Sequence, residues 1–325
     1  MRDSVLFSEV SLRRNYQDLT FCPQDDAEDL SQSYHRSIAA LTRIHPDYRV
    51  FDGQALGEEG LPFGHTIFLP PKGDQLTKAA LFTDNTSSFS AAINLDEHLV
   101  LRRTGKPDEL SDMISCLRET EAVLAKAGHP FAHDAQYGYL SYRPALAGSG
   151  LHVRLVMHLP MLHFLKQLRP ITEALKAKGC AIMPAAAKGG RNPARLYTLT
   201  NISSFNLSDE QIVSQVLSCA ELLADKESAI LNKALALGEQ STVADQVWRA
   251  YGLLKYARRL SAADLLIHWN SLRIGARAGM LPLDITQADS LLQYANDDAF
   301  QMEGADPKTY VFLRADAVRS ALSGG

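Results

Sequence analysis

The side chains best able to do chemistry cluster in one stretch, Tyr137–Leu162, which reads YGYLSYRPALAGSGLHVRLVMHLPML. Arg143 precedes a tight loop, Pro144 to Gly150, and the loop feeds a segment with clean period-two alternation. Leu151, Val153, Leu155, Met157 and Leu159 fall on one side, and His152, Arg154, Val156 and His158 on the other. That pattern predicts a half-buried strand offering imidazole and guanidinium groups to a cleft or a partner. Such groups can hold anions and move protons near neutral pH; the alternative for the two histidines is hydrogen-bonded structural duty. Two further basic groupings stand apart, Arg13–Arg14 and the Ala/Gly-rich loop Pro184–Arg195 with Lys188, Arg191 and Arg195. Each is either an anion contact or a solvated face. The cysteines, Cys22, Cys116, Cys180 and Cys219, form no CxxC-type pair, so no metal site is expected.

The elements that must position these groups follow from the spacing of apolar residues and turn formers. Acidic residues from Asp25 to Asp29 suit the start of a helix near 26–42. Thr66–Leu69, Ala79–Thr83, Phe89–Ile93 and Leu99–Arg102 predict short strands separated by turn sequences. Loops this short favour antiparallel neighbours. Pro107 opens a helix bearing Leu110, Ile114, Leu117 and Leu124 on one stripe, stopped at Gly128. Pro160 starts a helix running to about Lys178 with an interruption at Pro170, and Leu196–Asn201 predicts another strand. Ser208 with Gln211 forms a capping box for a long helix. Beyond a linker at Gly238–Thr242 the pattern is wholly helical, over 243–259, 262–278, 286–296 and from Asp306–Pro307 towards Leu322. The expectation is an α+β domain over 1–240, an antiparallel sheet backed by helices, followed by a small all-helical domain over 241–325.

Composition narrows the function. The chain is 46% hydrophobic and 22% charged with a net charge of -4, which argues against a general binder of nucleic acid or of membrane surfaces. No apolar run approaches a membrane span and the N-terminus lacks a signal-type apolar core, so a cytoplasmic location is the expectation.

Several stretches together resemble the ATP:guanidino phosphotransferase superfamily, closest to its bacterial protein arginine kinase branch. They are Val5–Asn15, Asn94–Arg102, Tyr137–Leu162, Leu196–Ile212 and Asp245–Leu281, with YGYL, GSGL, VMHLP, YGLLKYAR and LRIGARAG in order. The resemblance implies in-line phosphoryl transfer over an open sheet face, with arginines gripping the nucleotide phosphates and carboxylates orienting a guanidinium. At the positions where it implies clamp arginines, this chain has Glu9, Ser11, Val100, His152 and Met183. Of the two implied glutamates, one is Asp96, the single retained acid, and the other is Lys188. Arg143 stands at the position of a reactive cysteine and Leu146 at that of a nearby asparagine. The family's phosphoarginine motif keeps only its second half, Arg314–Ala315.

Each bidentate contact contributes on the order of 1.5–3 kcal/mol, so losing several removes ordinary kinase activity. The first expectation is a pseudokinase, with a regulatory or partner-binding role towards a protein such as an active paralogue or a phosphorylated protein. The second is a phospho-ligand sensor or active phosphotransferase with a remodelled basic cleft drawing on Arg143, Arg154, Lys188, Arg191 and Arg314. The third is kinase activity through substitutes, His152 with Arg13 or Arg14. No cofactor is expected, ATP and Mg entering only with retained activity; a homodimer is suggested by the resemblance.

Overall fold

The computed structural model describes residues 2–21, 27–53, 78–84, 86, 88–126, 129–185, 192–238, 241–297, 300 and 306–323. Eight strands form one sheet: β1 (Val5–Arg14), β2 (Arg49–Asp52), β3 (Ala80–Thr83), β4 (Phe89–Ile93), β5 (Leu99–Gly105), β8 (Leu151–His158), β9 (Cys180–Pro184) and β10 (Leu196–Asn201). Their order is β2-β3-β4-β5-β1-β8-β10-β9 and every pairing is antiparallel. A two-stranded ribbon, β6 (His133–Asp134) with β7 (Gly138–Tyr139), lies in the loop region before β8.

One face of the sheet is apolar because every second residue is: Val10 and Leu12, Leu99 and Leu101, Val153 and Leu155, Leu199. Helices α1 (Ala27–Ile44), α2 (Leu110–Lys126) and α5 (Asp209–Leu235) supply the matching side chains, among them Leu41, Leu117, Val216 and Leu223. Ser208 caps α5 by the expected box with Gln211. Two short helices, α3 (Pro160–Phe164) and α4 (Leu168–Ala177), follow β8. The interruption expected at Pro170 lies instead at 165–167, where Lys166 takes φ 54°; Pro170 sits in the first turn of α4, where an N–H is not required. The amides of Met161 and Leu162, at the start of α3, both donate to the buried carboxylate of Glu227 on α5, at 2.8 and 2.9 Å.

The strand expected at Thr66–Leu69 and the stop at Gly128 lie outside the described residues. Strands β2 and β9 extend the sheet beyond the expected set: β2 is mostly exposed and β9 follows a helix directly, so neither carries a long alternating signal.

Helices α6 (Thr242–Tyr256), α7 (Ala262–Arg277), α8 (Ile285–Ser290) and α9 (Tyr310–Ser323) form the C-terminal part, around Leu254, Trp269, Leu272 and Val318. This core is continuous with Met161, Ala194 and Leu231 of the preceding region. Arg273 closes the join. Its guanidinium donates to Asp289 at 2.6 and 3.1 Å and to the carbonyl of Asp3 at 2.8 Å, and touches His158 Nδ1 at 3.4 Å. His158 in turn pairs with Asn270 at 2.9 Å and packs edge-on to Trp269. Burial, then the charge of Arg273, holds the His158 imidazole well below its ordinary pKa, so it stays neutral. The structural alternative for His158 is the one the fold adopts.

Candidate functional site

The polar sides of β4, β5, β1 and β8 share the second face of the sheet. Ladder register sets Ser90 beside Arg102, Arg102 beside Ser11, and Ser11 beside His152. Four positions singled out from the sequence, Glu9, Ser11, Val100 and His152, therefore meet on adjacent strands. Met183 shares their face but lies out on the edge strand β9, opposite Thr198, and is 47% exposed. Val100 is buried in a small apolar patch with Leu81, Ala92 and Leu95. Lys188 and Arg191 lie outside the described residues.

Glu9 is 4% exposed and takes two cations: Arg102 Nε at 3.0 Å and Arg154 at 3.4 Å. Four residues further along β1, Arg13 is ion-paired with Asp96, and the other oxygen of Asp96 accepts from Arg143 at 3.0 Å. Arg143 is half exposed, poised at the start of the turn Pro144–Leu146. Asp96 is thus held between two guanidiniums rather than open to a substrate. The neighbouring Glu97 is buried and accepts from Asn15 at 2.5 Å and from the Ser141 hydroxyl.

Each acid sits where the local turn puts it. Asn94 adopts φ 54° and donates to the carbonyls of Leu30 and Lys78, which locks the turn carrying Asp96 and Glu97. In the loop that leads into β8, at the same end of the sheet face, Gly148 has φ +120°, and a Cβ there would come within 2.3 Å of the Ser204 carbonyl oxygen. Only glycine allows this loop to lie against the 202–205 segment.

The electrostatics follow from burial. The His152 pKa is lowered to about 4 by desolvation and then by the charges of Arg13 and Arg154, with Asp96 opposing. Its Nε2 is shielded and has no hydrogen-bond partner. At neutral pH the ring carries no charge and cannot replace a phosphate-gripping arginine. Burial also lowers the Arg102 pKa, against the raising effect of Glu9.

Arg14 is turned to the helical side. It donates to Glu121 at 2.6 Å and to the Ser149 carbonyl at 3.1 Å, with its guanidinium carbon 3.5 Å from the Tyr139 ring centre. Arg118 bridges Glu121 to Asp209 at 2.9 and 2.8 Å. Burial raises the Glu121 carboxyl, but the charges of Arg14 and Arg118 outweigh it and leave the pKa low. Arg14 is therefore a scaffold residue, and of the adjacent pair only Arg13 reaches the cleft. Arg314 also needs correction as an anion-binding candidate. It is 2% exposed, and its donors are spent on the carbonyls of Tyr294 and Leu260 and on Asp297.

Sequence reasoning passed over Arg102. The signal was present, since alternation through Leu99–Arg102 puts Arg102 on the face of Val100. Among the described residues no group of His, Cys, Asp and Glu is placed to hold a metal ion, and no helix is long and apolar enough to cross a membrane.

Comparison with known proteins defines the class. Residues 52–230, just over half of the chain, match the family model for the ATP:guanido phosphotransferase C-terminal catalytic domain. The chain belongs to that family. Residues 240–324 match the C-terminal domain of the protein-arginine kinase McsB. Similar curated proteins include the protein-arginine kinase of Symbiobacterium thermophilum, 25% identical over 99% of this chain and 94% of that one. The protein-arginine kinase of an Exiguobacterium strain is 24% identical over 86% and 80%. Among solved structures, lombricine kinase superposes with a TM-score of 0.61 at 17% identity, over 70% of this chain and 67% of its own. The duplicated taurocyamine kinase of Schistosoma mansoni gives 0.60 at 17%, over 81% and 38%. These neighbours establish the shared fold, an antiparallel sheet backed by helices.

Proposed function

We propose that this chain is a protein-arginine-kinase-like pseudokinase, a cytoplasmic protein that acts by binding a protein partner rather than by transferring phosphate. The observation that carries the reading is Glu9, a carboxylate at an implied clamp position and already engaged by Arg102 and Arg154. A triphosphate laid over it meets a fixed negative charge, an apolar Val100 and a neutral His152, where catalysis by electrostatic stabilisation needs cations. Asp96, the one acid kept for activating a guanidinium, is committed to Arg13 and Arg143. No cofactor is required by this role; ATP and Mg belong only to the active alternative. The partner is a protein, an active paralogue or a phosphorylated protein, and self-association as a homodimer is compatible with it.

Calorimetric titration with ATP and Mg, together with mass spectrometry for phosphoarginine on the chain and on added protein, tests the reading. The expected result is no micromolar ATP binding and no phosphoarginine; micromolar affinity with turnover overturns it. One observation favours a second reading, a sensor of phosphorylated ligands: Arg13, Arg102, Arg143 and Arg154 all serve the cleft face although none stands at an implied clamp position.

A further inference from the structure

Among the described residues, the guanidiniums of this face share its carboxylates. Arg102 and Arg154 share Glu9, and Arg13 and Arg143 share Asp96. Arg13, Arg143 and Arg154 are thus only partly neutralised among the described residues, and the nearby Glu97 is already satisfied by Asn15 and Ser141. Glu9 and Arg13 are four residues apart on β1, which sets the two clusters about 13 Å apart along the strand.

The ground between them is polar, buried and unfinished. Ser90 is 1% exposed with no hydrogen-bond partner for its hydroxyl, and the shielded His152 Nε2 and Arg13 Nε have none either. A buried donor left without a partner costs about 1–3 kcal/mol. Several on one face, flanked by the partly exposed guanidiniums of Arg143 and Arg154, match a ligand that accepts hydrogen bonds and carries negative charge.

We infer that this face is an oxyanion-binding site built from a relocated set of arginines, and that Glu9 and Asp96 act as tethered counter-anions which hold its affinity down. The inference rests on the reading above, that the face no longer grips a nucleotide, and adds what the face binds and how that is restrained. The ligand class is a compact phosphate oxyanion, either free or presented on a polypeptide. Arg143 and Arg154 are the accessible cations that meet it first, and the Glu9–Arg102 pair forms the buried floor. An arriving oxyanion competes with each carboxylate for its guanidiniums, so neutralising a carboxylate strengthens binding, and removing an arginine weakens it.

The test is calorimetric titration of the full chain at low ionic strength with two probes, sodium pyrophosphate and a serine-phosphorylated peptide beside its unphosphorylated form. Wild type is expected to bind at least one probe in the millimolar range. Asp96→Asn, which is less buried than Glu9→Gln and so a safer fold, is expected to tighten that binding at least tenfold, with Glu9→Gln acting in the same direction. Arg154→Gln and Arg143→Gln are expected to weaken it at least fivefold, with each variant checked for native circular dichroism. Preference for pyrophosphate identifies a free anion as the ligand, and preference for the phosphopeptide identifies a modified protein. Equal affinity in wild type, Asp96→Asn and Arg154→Gln overturns the inference, as does absence of binding in all folded variants; the pseudokinase reading survives either result. ATP turnover by wild type removes that reading instead.

Discussion

Arg102 Nε stands 3.0 Å from a carboxylate oxygen of Glu9, across the boundary between β5 and β1, and both side chains are nearly sealed from solvent. Taking two charges out of water costs several kcal/mol per ion, so such a pair holds its place only while both members are present. The pair is where stability and function meet, because the same carboxylate occupies an implied nucleotide-clamp position.

Arg102→Met alone leaves Glu9 with Arg154 as its remaining partner and is expected to cost about 3 kcal/mol, the lower end for a broken buried pair. Combining it with Glu9→Leu should recover most of that loss, since apolar replacements of a buried pair are often neutral. Urea unfolding of the two single variants and the double variant measures the coupling; additive losses would show that the pair is not a unit.

His152 makes stability depend on pH with a defined sign. Its folded pKa is depressed to about 4 from 6.5, so the unfolded chain takes up the proton first. Stability from this group is complete above pH 6.5 and is lost as pH falls towards 4, by at most about 3 kcal/mol. His152→Leu should flatten that part of the profile, read as the difference between wild-type and variant unfolding midpoints at pH 7 and pH 4.5.

Gly148→Ala places a methyl group within 2.3 Å of the Ser204 carbonyl oxygen at φ +120°. The obstruction is backbone, which cannot swing aside, so a cost of at least about 2 kcal/mol is expected. Gly252→Ala is the control: nothing lies within 4 Å of its added Cβ, and in the interior of α6 the change should stabilise by about 1 kcal/mol. Thermal unfolding of both variants separates a strained loop glycine from an incidental helical one.

Arg273→Lys keeps the charge but loses the fork that spans Asp289 and the Asp3 carbonyl. A loss of about 2–3 kcal/mol is expected, with faster amide exchange in both β1 and α7. Exchange confined to α7 would mean that the N-terminal segment does not depend on this contact.

Much of this architecture was legible in the sequence because it rests on local rules. Ser208 and Gln211 announce a helix start, Phe89–Ile93 a strand, and the alternation from Leu151 to His158 a two-faced one; each takes the expected form. The positions of Glu9, Ser11 and His152 in one cleft were implied by the family resemblance, and the ladder register brings them together. What the sequence did not reveal was who pairs with whom. Arg102 reaches Glu9 across strands whose sequence separation is large, and Arg314, an anion candidate by motif, is consumed by the carbonyls of Tyr294 and Leu260. Long-range pairing of flexible side chains leaves no periodic trace, and neither does the irregular break at Lys166.

The contact of Arg273 with the carbonyl of Asp3 bears on how the molecule can be taken apart. Severing the chain near residue 240 would uncover the buried imidazole of His158 on one fragment and leave the Arg273 guanidinium on the other, still paired with Asp289 but without the Asp3 carbonyl. Fragments made that way would each expose a partly apolar scar where a closed seam had been. Their solubility and binding would then report on the wound rather than on the native surfaces.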